Sequence, residues 1–125
     1  MDTNKRTIMW FRFTNGYRAK NGPGSFTDYE IYHLLRTKVA DDKLALALEG
    51  LKQIPDVKNL AESVQKYQFK FWVSENQTPT SIAKLLGIPH NPSLVTERGP
   101  KDAILSQFYV LFAKEKKLTR STTMR

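Results

Sequence analysis

The sequence predicts an all-α fold, a small bundle of about five helices around one aromatic and aliphatic core. Three observations carry that expectation. Val57, Leu60, Ala61, Val64, Tyr67 and Phe71 recur at i, i+3, i+4, i+7, i+10 and i+14, which is one face of a helix. Thr27 stands three residues before Glu30, the spacing of a capping box. Thr78-Pro79 opens and Gly87 closes a short apolar segment.

Residues 1–25 carry Asn15-Gly16 and Asn21-Gly22-Pro23-Gly24, which punctuate against a helix, so an extended arm with aromatic side chains is expected there. The first helix is expected from Thr27 to about Ala40, with Phe26 and Ile31 placed as a hydrophobic staple. Asp41 and Asp42 are candidate caps for a second helix, Lys43 to Gln53, ended by Ile54-Pro55. The longest helix is expected from Asp56 to about Glu75, with Trp72 beside Phe71 widening its apolar face. In the next, Thr78–Leu86, Ile82, Leu85 and Leu86 share a face. A loop through Pro89-His90-Asn91-Pro92, followed by a single turn at Ser93–Thr96, leads to the last helix, about Pro100 to Lys116. That helix bears Ala103, Ile104, Gln107, Phe108, Leu111 and Phe112 on one face, with Tyr109 at its flank. Lys114, Lys116 and Lys117 suit its C-terminal dipole. Residues 119–125 read as a frayed basic tail. The expected organisation is an arm (1–25), a helical domain (26–117) and a tail (118–125).

At 125 residues and 40% hydrophobic content, the chain can build one modest core. It has no cysteine, which excludes disulfides and thiol chemistry. No apolar run approaches the roughly 20 residues that span a bilayer. The net charge of +8 lies at the ends. Residues 1–25 hold five basic groups against one acid, and residues 98–125 hold seven against two, while the middle is close to neutral. Basic ends attract nucleic acid, anionic membranes or acidic protein surfaces.

The segment Trp72 to Ile88, with Trp six residues before Thr78-Pro79 and then Leu86-Gly87-Ile88, resembles the W motif of the WY-domain effectors secreted by oomycete plant pathogens, the RXLR type. The resemblance covers about residues 56–116. It implies a WY-like helical core in which Trp72 packs against a Tyr of the last helix, for which Tyr109 is the candidate, with Phe71, Leu85 and Leu86 around them. The match to the family's second, Tyr-rich motif is looser, resting on Gln107 to Phe112. The resemblance also implies a non-catalytic protein without cofactor or metal, secreted and then acting in the host cell. Its partner would be a plant protein of immune signalling or ubiquitination, bound so as to suppress immunity. Homodimerisation and a nuclear location in the host follow from the same resemblance and from the basic ends. On this reading the numbering begins after a removed leader; no Arg-x-Leu-Arg tetrapeptide occurs in the chain.

Chemistry-bearing constellations are absent from the sequence pattern. His33 and His90 have no ligand spacing around them, Asp41-Asp42 is explained by a helix start, and Gly22-Pro23-Gly24 lacks the Lys-Ser/Thr of a phosphate loop. The remaining signal is the interleaving of Trp10, Phe11, Phe13 and Tyr17 with Arg6, Arg12, Arg18 and Lys20. Trp10, Phe11, Arg12, Phe13 and Tyr17 are the candidate partner or self-association surface. Packing back on the helices fits the same residues. Base stacking with phosphate contacts also fits, and makes a small basic nucleic-acid-binding protein the alternative function.

Overall fold

The computed structural model describes residues 5–88 and 99–123, the side chains of residues 23 and 117–123 excepted. Within them lie six α-helices and no strand: α1 (Lys5–Asn21), α2 (Asp28–Arg36), α3 (Asp41–Leu51), α4 (Lys58–Ser74), α5 (Pro79–Leu86) and α6 (Pro100–Thr123), with a 3-10 turn at Pro23–Ser25. The fold is all-α. His90, the Pro89–Pro92 loop and the turn expected at Ser93–Thr96 lie outside the described residues. The chain divides into two compact units, Met1–Gln68 and Phe69–Arg125.

In the first unit, the expected extended arm is a helix. Thr7, Phe11 and Thr14 of α1 are buried at i, i+4 and i+7. Arg12 Nε donates to Asp56 Oδ2 at 2.5 Å, and Asn15 Nδ2 donates to the Asp56 carbonyl at 3.0 Å. Gly16 inside a helix costs about 1 kcal/mol relative to Ala. Burying a side chain the size of Phe11 contributes about 1.5–3 kcal/mol, so packing overrides the local turn signal. The chain turns only at Gly22, whose φ of 93° a side chain would resist.

The expected capping box is present at the start of α2. The Thr27 amide donates to Glu30 Oε1 at 2.9 Å, and the Glu30 amide to Thr27 Oγ1 at 3.2 Å. α2 ends at Arg36, short of Ala40. α3 begins at Asp41 with Ala40 at the cap position, so Asp41 and Asp42 are not caps but first-turn acids that suit the helix dipole. Asp41 is drawn into another bond: the buried Tyr32 hydroxyl donates to its Oδ1 at 2.7 Å. Burial, reinforced by that carboxylate, pushes the Tyr32 phenol well above the usual tyrosine range. Leu44, Leu48 and Leu51 of α3 and Val57, Leu60, Ala61 and Val64 are buried.

In the second unit, both helix closures near Trp72 use a left-handed residue. Past the end of α4, Asn76 has φ 63°, the Gln77 amide donates to the Trp72 carbonyl at 2.9 Å, and the Asn76 amide to that of Val73 at 3.0 Å. Past α5, Gly87 has φ 75°, with Ile88 donating to Ala83 at 2.9 Å and Gly87 to Lys84 at 3.1 Å. These are two Schellman closures. α5 opens on a second capping box. The Thr78 amide donates to Ser81 Oγ at 2.8 Å and the Ser81 amide to Thr78 Oγ1 at 3.2 Å. Ser replaces the usual Glu or Gln, which is why the sequence pattern did not announce it. α6 continues helically to Thr123, beyond the end expected at Lys116 and into the segment read as a frayed tail.

Candidate interaction surface

Around Trp72 the rings form a buried cluster. Trp72 lies 5.7 Å from Phe69 and 5.5 Å from Phe108, and Phe69 lies 5.8 Å from Phe108. The last two pairs are edge-to-face, the favourable approach of ring quadrupoles. Leu86 and Ile82 are buried as well. Tyr109, the residue expected to meet Trp72, is 59% exposed, and Phe108 stands in its place. The cause is helix phase: Ile104 and Phe108 are four residues apart and share the buried face, and Tyr109 is rotated off it. Phe71 is half-buried and Leu85 is 40% exposed, so neither is enclosed as Trp72 and Phe108 are.

α1 carries the other set of candidate residues, and its two sides differ. Phe11 is buried, which removes it from the candidate surface. Arg12 is held by Asp56. That pairing raises the Arg12 guanidinium pKa and holds the Asp56 carboxyl below the usual carboxylate range. Arg18 pairs with Asp28 at 2.9 Å. Phe13 and Tyr17 are 66% and 43% exposed, with ring centroids 6.3 Å apart. Tyr17 lies 6.5 Å from Phe26, which lies 6.2 Å from the half-buried Trp10. Two contributors escaped the sequence reading. Met9 is 66% exposed, and its four-residue spacing to Phe13 and then Tyr17 is the signal that could have found it. Phe26, at the staple position before α2, also meets Tyr17 and Trp10 edge-on.

Elsewhere among the described residues no group of three or more His, Cys, Asp or Glu side chains could hold a metal ion. His33 sits against Tyr67, its Nε2 3.3 Å from the hydroxyl, and its ring centroid lies 4.4 Å from that of Tyr29, the two planes tilted by 53°. A shallow cleft of about 380 Å3 is lined by Asn15, Arg18, Ala19, Gly22, Asn59, Leu60 and Ser63. Its one charged lining group, Arg18, is occupied by Asp28. No described helix is long and apolar enough to cross a membrane.

Residues 16–66 match the family model of the RXLR phytopathogen effector protein WY-domain. The match runs from the second half of α1 into α4, so the Trp72–Ile88 segment lies beyond it. The chain is 34% identical over 98 residues to RxLR effector protein PexRD18 of Phytophthora infestans (strain T30-4), which takes in 76% of this chain and 20% of that protein. It is 30% identical over 73 residues to RxLR effector protein 54 of the same strain, 58% of this chain and 19% of that protein. The chain thus spans about a fifth of the length of these relatives. No solved structure matches it. On the helical fold, the family match and the two homologous effectors together, the chain belongs to the RXLR-type WY-domain effectors of oomycete plant pathogens.

Proposed function

We propose that this chain is a non-catalytic docking module of a secreted effector that enters the plant cell, binds a host protein of immune signalling or ubiquitination, and so suppresses immunity. Membership in the effector family supports secretion and entry. The observation that carries the docking reading is the exposed ridge of Met9, Phe13 and Tyr17 on a helix whose opposite face is packed. Contiguous exposed aromatics on a folded scaffold mark interaction sites. The basic ends of the sequence support a nuclear location within the host cell.

The test is affinity capture from plant leaf extract with the whole chain, with and without nuclease, followed by mass spectrometry. A discrete host protein retained after nuclease is the expected result. Loss of every captured protein on nuclease treatment, with RNA or DNA in the untreated sample, would instead establish the nucleic-acid-binding alternative. The basic excess at the chain ends is what favours that second reading.

A further inference from the structure

Resting on that docking reading, a finer statement concerns what the docked segment is. We infer that the outward face of α1, formed by Arg6, Met9, Phe13, Gly16, Tyr17 and Lys20, receives an amphipathic helix of a host protein that carries acidic residues at both of its ends.

All six residues are exposed and recur at helical spacing. The face begins and ends with a cation, and neither Arg6 nor Lys20 has an acidic partner among the described residues. α1 contains five basic residues and no acid. Arg12 and Arg18 are neutralised by Asp56 and Asp28, so the uncompensated charge sits at the helix ends with apolar side chains between. Fourteen residues at 1.5 Å each separate the two cations by about 21 Å, roughly four helical turns. A partner helix of four turns with an acid at each end matches that pattern in length and sign. Gly16 has nothing within 4 Å of where a Cβ would stand, which opens a notch for a partner backbone beside Phe13 and Tyr17. Aromatic residues, Met and Arg are the types enriched in the cores of protein interfaces.

The other occupants fit less well. A second copy of α1, laid against the first in either direction, sets cations against cations with no acid to meet them. A nucleic-acid strand presents a phosphate about every 3.4 Å, so the ridge would face about six phosphates with two cations and three apolar groups. An interfacial membrane helix buries a broad apolar face, whereas this ridge is narrow and the other side of α1 is already packed.

The test is site-specific photo-crosslinking of the whole chain in plant leaf extract. Benzoylphenylalanine replaces Phe13 in one version, Tyr29 in a second and Val110 in a third. All three positions are exposed, and only the first lies on the ridge. The expected result is a Phe13-site crosslink to a host segment with apolar residues at three- and four-residue spacing and acids at both ends. The double variant Arg6→Glu, Lys20→Glu should lower that crosslink about tenfold, with circular dichroism showing unchanged helicity. A Phe13-site crosslink to a second copy, a nucleic acid, a lipid or a host segment without flanking acids overturns the inference. So does undiminished capture by the charge-reversed variant. A host protein held only through the other two sites overturns the inference and leaves protein docking standing. No host protein at any of the three sites removes both.

Discussion

In the second unit the rings of Phe69, Trp72 and Phe108 are all buried, whereas in α1 Phe11 is buried and Phe13, two residues on, stands in solvent. The residue types are alike and helix phase separates their uses. A position on the packed side contributes its apolar area to stability, and one just over half a turn away contributes to what the surface can hold. In α6 a single step does the same: Phe108 is enclosed and Tyr109 is not.

The sharpest break of this contrast is in the second unit. Trp72→Ala or Phe108→Ala should cost about 3–5 kcal/mol, a large share of a typical domain's stability. Tyr109→Ala should stay within about 0.5 kcal/mol. Chemical denaturation of the three variants checks this; a Tyr109→Ala loss equal to that of Phe108→Ala would undo the assignment of the core ring.

The same pairing sharpens α1. Phe11→Ala should cost about 3–5 kcal/mol, while Phe13→Ala should leave the unfolding midpoint within experimental scatter and weaken host-protein capture. An unfolded Phe13→Ala protein would mean that the ridge is part of the core.

A smaller effect is expected at the backbone. Gly87→Ala places a side chain at φ 75° and should cost about 1–2 kcal/mol, measured by thermal unfolding. The reverse experiment, Asn76→Gly, should leave stability nearly unchanged or raise it slightly, because Asn already bears part of that strain.

The smallest effect concerns pH. A phenol whose pKa is raised in the folded chain stabilises fully below its unfolded value, near 10, and that stability drains away as pH rises through the folded value. Tyr32 is such a group. Tyr32→Phe should therefore be less stable than the natural chain at neutral pH by about 1 kcal/mol, the worth of one hydrogen bond. The gap should close above pH 10, as read from urea midpoints across that range. A gap constant with pH would show that the buried hydroxyl is not protected.

These contrasts also explain what could be read from the residues in order. α2 and α5 were legible because Thr27, Glu30, Thr78, Pro79 and Gly87 each act on neighbours within one turn. The burial of Phe108 was legible too: it lay on the named stripe of α6, and only the analogy to a Tyr partner pointed to Tyr109. α1 was not legible. Its opposite faces both carry aromatic residues, one set packed and one exposed, so apolar spacing around the helix cancels and Asn15-Gly16 dominates the local reading. Nothing local announces that Arg12 and Asn15 find Asp56 more than forty residues away. The ridge was half legible, since the sequence named Phe13 and Tyr17, but tertiary packing alone sorts them from Phe11.

The two-sidedness of α1 has an evolutionary consequence. Substitutions at Met9 and Phe13, each 66% exposed, change what the helix presents while Thr7, Phe11 and Thr14 keep its buried side. Most random changes destabilise a small domain and selection removes those that unfold it, but exposed positions are largely released from that filter. The exposed ridge can therefore change one residue at a time while the packed side of α1 keeps each intermediate folded.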